Sequence, residues 1–98
     1  MTNQNEDILD DLRDSIANSE AALEERVGYE LEKTKAGDKA LRMLRNAARV
    51  GTPTAVRETL HLIVGLAPTE VLEAIRSPLE IAQSFVFIRT GEAIDITR

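Results

Sequence analysis

The sequence predicts a mainly α protein: a long N-terminal helix followed by a compact bundle of short helices, with a C-terminal β-hairpin as the alternative ending. Three observations predict it. Apolar residues recur at three- and four-residue spacing along most of the chain. Glycine and proline fall where helices stop and start. Aromatic residues are scarce, with one Tyr, two Phe and no Trp, so the core must be built from Leu, Ile, Val and Ala, which suits helix packing. The 98 residues, 43% apolar and 30% charged, fit one globular domain over 1–98, with a long acidic helix over 4–35 and a compact helical body over 39–98.

Taken in order, residues 4–35 read as one helix. Ile8, Leu12, Ile16, Leu23, Val27 and Leu31 make an apolar stripe, and Ala17, Ala21 and Ala22 favour helix. Acids in the first turns suit the helix dipole, while Gly28 costs about 1 kcal/mol within a helix, which allows a kink or break there. Asp7–Asp11 and Asp10–Asp14 are like-charge pairs at four-residue spacing, so this helix needs an apolar partner and gains from a cationic one. Gly37-Asp38 reads as a C-cap followed by an N-cap. A second helix follows over about 39–50, with Leu41, Leu44 and Ala48 on its apolar side and Lys39, Arg42, Arg45 and Arg49 as a basic stripe.

Gly51 closes that helix, and Thr52-Pro53 opens the third with an N-cap and a proline at its first position. The third helix ends at Gly65. Val56, Leu60, Leu62, Ile63 and Val64 spread around its circumference, which predicts burial. Pro68-Thr69 opens a short fourth helix with Val71, Leu72 and Ile75 inward. Ser77-Pro78-Leu79-Glu80 has the form of a capping box. Beyond it, residues 78–89 read as a helix with Leu79, Ala82, Phe85 and Ile88 on one face. The alternative is a hairpin of strands 85–89 and 92–97, with Thr90-Gly91 as its turn.

The net charge of −5 is unevenly spread. Residues 1–32 carry ten acids against two arginines, residues 33–57 seven basic residues against one acid, and residues 58–98 six acids against three arginines. The basic stripe therefore has two readings: a footprint for phosphates or an acidic partner, or the counter-face of the acidic first helix folded back beside it in an antiparallel hairpin.

Candidate chemistry is thin. With no Cys, neither disulfides nor thiolate metal sites can form. His61 is the sole histidine and sits among Leu60, Leu62 and Ile63, a setting for a partly buried, hydrogen-bonded side chain rather than a general base. A zinc site would need further His or Cys ligands, and the chain has neither a calcium-loop pattern nor a glycine-rich phosphate loop. These absences predict no catalysis, no cofactor, no metal and no small-molecule substrate. The polar, acidic N-terminus is unlike a secretory signal, and no apolar run approaches the ~20 residues of a membrane span. The expectation is a soluble, cytoplasmic protein without a membrane partner.

Arg57 to Arg76 resembles the core of helix-turn-helix domains: Leu60, Val64, Leu66, Val71 and Ala74 fall on the pattern's apolar positions and Gly65 on its turn glycine. With the hairpin ending, the resemblance extends over about residues 39–97 to the winged-helix DNA-binding family. It implies a recognition helix carrying Thr69, Glu73 and Arg76 into the major groove of duplex DNA. His61 stands where the family usually has a small residue, Glu70 and Glu73 bring negative charge to that helix, and Pro78 interrupts the segment where it would continue.

The function expected first is a non-catalytic helical protein–protein interaction or assembly module. Its seam is Ile8, Leu12, Ile16, Leu23, Val27 and Leu31, and its partner a second copy or another helical protein. A stripe more than ~40 Å long at ~1.5 Å per residue is long for a body this small to cover, which prompts the expectation of a homo-oligomer. The competing expectation is a winged-helix-like transcriptional regulator that binds nucleic acid and dimerises through its N-terminal helix.

Overall fold

The computed structural model describes residues 4–25 and 31–97, and side chains over 8–25 and 33–97. The predicted helical character holds: five helices follow one another as α1 (Gln4–Glu25), α2 (Leu31–Val50), α3 (Pro53–Leu66), α4 (Thr69–Ala74) and α5 (Arg76–Thr90). An irregular tail over 91–97 completes the described chain.

The single helix expected over 4–35 is not what the structure holds. α1 ends at Glu25 and α2 begins at Leu31, with residues 26–30 outside the described residues. The two helices lie antiparallel: Arg13 in the first half of α1 reaches the carbonyl of Ala48 near the end of α2, and Leu23 near the end of α1 meets Gly37 in the second turn of α2. The predicted break at Gly37-Asp38 is likewise absent, because α2 runs straight through it. Glycine in a helix interior costs about 1 kcal/mol relative to alanine. Packing explains its presence, since a Cβ at Gly37 would sit 2.8 Å from Leu23 Cδ1. The glycine is a point of close approach between helices rather than a stop.

Gly51, at φ 79°, ends α2 in the left-handed conformation. Thr52 caps α3 as expected: its side chain accepts a hydrogen bond from the Ala55 amide at 3.2 Å, and Pro53 takes the first helical position. α3 continues through Gly65 to Leu66, so the expected glycine stop falls inside the helix. The capping box is not formed either. α5 begins at Arg76, one residue before Ser77, and has no side-chain cap. The Ser77 hydroxyl instead accepts a hydrogen bond from Ser15 of α1 at 3.1 Å, so it serves a contact between helices.

The hairpin alternative is overturned: no strand occurs among the described residues, and residues 85–90 belong to α5. Gly91, at φ 76°, donates its amide to the Phe87 carbonyl at 2.8 Å and ends the helix. Thr90-Gly91 is thus a helix terminus of the left-handed glycine type, not a hairpin turn. The Ile94 and Ile96 alternation marks burial of one side of the tail, since both side chains are buried without a strand partner.

One apolar cluster draws on every helix and on the tail. Leu12, Ile16, Leu41, Leu44, Val56, Leu60, Val71, Ile75, Leu79, Phe85 and Val86 lie among its most enclosed members. α2 packs against α1, α3 and α4, while α5 covers α1 and α3. Ser15 and Ser19 are buried on α1, small enough to fit within that packing. The radius of gyration is 12.9 Å, close to the ~13 Å of a folded chain of about 100 residues.

Candidate functional site

The described part of the seam expected on the N-terminal helix packs within the chain itself. Leu12, Ile16 and Leu23 are buried in the common core and Ile8 packs partly buried against it. Leu9 is more enclosed than Ile8. Val27 lies outside the described residues. Leu31 opens α2, and its side chain is not among those described. The length argument for an outside partner fails because the expected rod is two antiparallel helices. α1 is 22 residues, about 33 Å at ~1.5 Å per residue, and α2 and α5 flank it.

The basic stripe is used within the chain only in part. Arg45 faces α1 and forms an ion pair with Glu20, as the folded-back hairpin requires. Arg42 lies over the same seam in a polar depression with Glu20, Glu24, Asp38 and Arg45. Lys39 and Arg49, with Lys35 one turn earlier, stay exposed. Lys35, Lys39, Arg42 and Arg49 form no ion pair with a described residue. Positions 35, 39, 42 and 49 follow helical spacing, so these cations leave one positively charged edge of α2 in solvent.

Thr69, Glu73 and Arg76 are brought together, but around the tail. With Leu72 they line a shallow depression that also holds Ile96 and Thr97. The helix expected to read DNA, α4, has six residues, and Arg76 lies beyond it at the start of α5, where its Nε donates to Glu80 at 2.8 Å. Glu70, exposed on α4, lies 3.7 Å from Lys33. The backbone amide at Glu70 and then the Lys33 charge hold that carboxyl below the usual carboxylate range.

His61 is exposed rather than partly buried, because it lies on the solvent side of α3 while Leu60 and Ile63 take the core side. Its Nε2 lies 3.7 Å from Glu92, whose other oxygen is 3.8 Å from Arg57. These contacts tether the start of the tail to α3. Asp95 then closes a local turn, accepting hydrogen bonds from the Thr97 amide at 2.9 Å and the Thr97 hydroxyl at 2.7 Å. Those bonds, the amide first, keep the Asp95 carboxyl below its ordinary value. Among the described residues no three His, Cys, Asp or Glu side chains gather as metal ligands. No helix described is long and apolar enough to cross a membrane.

The feature that sequence reasoning missed lies between α2 and α3. Leu62 is 51% exposed and Leu66 78% exposed, although the all-round apolar character of this helix predicted burial. Val56, Leu60 and Ile63 do face the core. Leu62 and Leu66, with Ala67, Pro68 and the edge of Ile63, form one wall of an open apolar groove of about 190 Å³. Ala36, Lys39, Ala40 and Met43 form the other. The signal was present in the sequence: a short helix with apolar residues on every side either lies inside a protein or keeps one side for something else. Phe87 and Ile88 on α5 are also exposed, and Phe87, Ile88 and Ala93 line a separate hollow beside the tail. In comparisons of sequence and fold, no family model matches this chain, and no curated protein or solved structure matches it.

Proposed function

We propose that the protein is a non-catalytic helical interaction module that binds another protein through the face shared by α2 and α3. The carrying observation is the pair Leu62 and Leu66, solvent-exposed on a helix whose other side is well packed, beside Met43 and Lys39. Scattered exposed leucines are ordinary, but leucines that line a groove with a cationic rim have the anatomy of a binding surface, with an apolar centre and a polar edge. Burial of the groove would supply affinity, while the α2 cations would set orientation and association rate. This moves the interaction surface from α1, where it was expected, to the opposite flank of α2.

The test is selection of a displayed random peptide library against the full chain, with amide exchange mapping the footprint of the enriched binders. Protection centred on Met43, Leu62 and Leu66 supports the reading. Failure to enrich binders, or a footprint elsewhere, rejects it. Duplex DNA provides the contrast: salt-dependent binding at micromolar protein, lost in Arg42→Glu, would support the regulator instead.

A further inference from the structure

The α2–α3 groove carries an inference about its occupant, which rests on the reading just given. We infer that it accepts an amphipathic α-helix whose flanking residues are acidic along the edge facing α2. Three observations lead there. The first is backbone chemistry. Both walls are helical up to Leu66, the Ala67 amide beyond it bonds to the Ile63 carbonyl and Pro68 has no amide, so the groove offers no row of free donors to which an extended peptide could add as a strand. A bound segment must satisfy its own backbone, which a helix does. The second is size. The α2 wall from Ala36 to Met43 spans about 10 Å at ~1.5 Å per residue, the length of two helical turns. Such a partner would bury apolar residues at positions i, i+3 or i+4, and i+7.

The third observation is charge. Lys39 lines the groove and Lys35 is exposed one turn before it on α2, neither ion-paired with a described residue. On the α3 side no charged residue enters the lining. Glu58 lies one turn before Leu62, and Glu70, beyond Pro68, is engaged by Lys33. The charge in the groove lining is therefore positive and sits on the α2 side. A second copy docked on the same face about a twofold axis is disfavoured, because each protomer would bring its own lysine edge to the shared interface.

The experiment uses the intact chain and two cross-linked helical peptides with the same leucine register, one flanked by Glu and the other by Lys. Binding is followed by calorimetry at low and high salt. The Glu-flanked helix should bind about tenfold more tightly at low salt, and the gap should shrink as salt screens it. Leu66→Asp should weaken that binding about tenfold or more. Lys39→Glu should narrow the preference between peptides, and Phe87→Asp, on the other exposed apolar patch, should leave both affinities unchanged. Circular dichroism checks that each variant keeps its helices.

Equal binding of the two peptides, both sensitive to Leu66→Asp, would overturn the acidic partner while leaving the groove as the binding surface. Binding that ignores Leu66→Asp, or no binding of either peptide at millimolar concentration, would overturn the groove and the partner together. A doubled mass in sedimentation that Leu66→Asp restores to a monomer would identify a second copy as the occupant and reject the inference.

Discussion

Single residues in this chain show how position decides the sign of an effect. Gly65 lies within α3 with open space where a Cβ would be, and it has no positive φ. Gly91 also has open space, but its φ of 76° disfavours any L side chain. Gly65→Ala should therefore raise stability by about 0.5–1 kcal/mol, whereas Gly91→Ala should lower it by about 1 kcal/mol. Urea unfolding of the two variants checks the opposite signs. Asp95 offers a second test. Its folded-state value lies below the unfolded one, so its contacts with Thr97 are fully present above the ordinary aspartate range and are lost as pH falls through the depressed value. The Thr97 amide resonance should titrate with a midpoint under that of a free aspartate, and Asp95→Ala should abolish the transition.

At the scale of elements, local punctuation was legible wherever it acts locally. Thr52-Pro53 opens α3 because a threonine oxygen and a missing proline amide need only their immediate neighbours. Thr52→Ala should cost about 1 kcal/mol in thermal or chemical unfolding. Gly37 and Ser77 misled for the converse reason. Each has the local chemistry of a helix end but is used across the molecule, Gly37 against Leu23 and Ser77 with Ser15. A single sequence does not record which distant residue will arrive. The tail shows a related ambiguity, since two-residue alternation reports one buried side whether or not a strand pairs beside it. Ile94→Ala should destabilise by about 2 kcal/mol, read as a lower urea midpoint, because that side chain is buried while most of the tail around it is exposed.

At the scale of the molecule, charge segregation was the most informative long-range signal. It suggested that α1 folds back on α2, and the Glu20–Arg45 pair lies on that contact. Both side chains are over 30% exposed, so the pair is screened and small. Glu20→Arg and Arg45→Glu should each destabilise by about 0.5–1 kcal/mol. The double swap should recover most of the loss, and the coupling should fade in high salt. The apolar groove was less legible. The sequence showed that α3 is apolar on every side, but only the placement of α2 and α5 decides which side is left uncovered.

The packing of α5 on α1 has a consequence for how the molecule comes apart. The first and last helices hold each other through contacts such as Ser15 with Ser77, 62 residues distant in sequence. Neither helix can peel away without opening the centre, so the helices should be lost together in one transition. Forming that contact closes a loop of 62 of the 98 residues, which makes it an entropically demanding step of assembly.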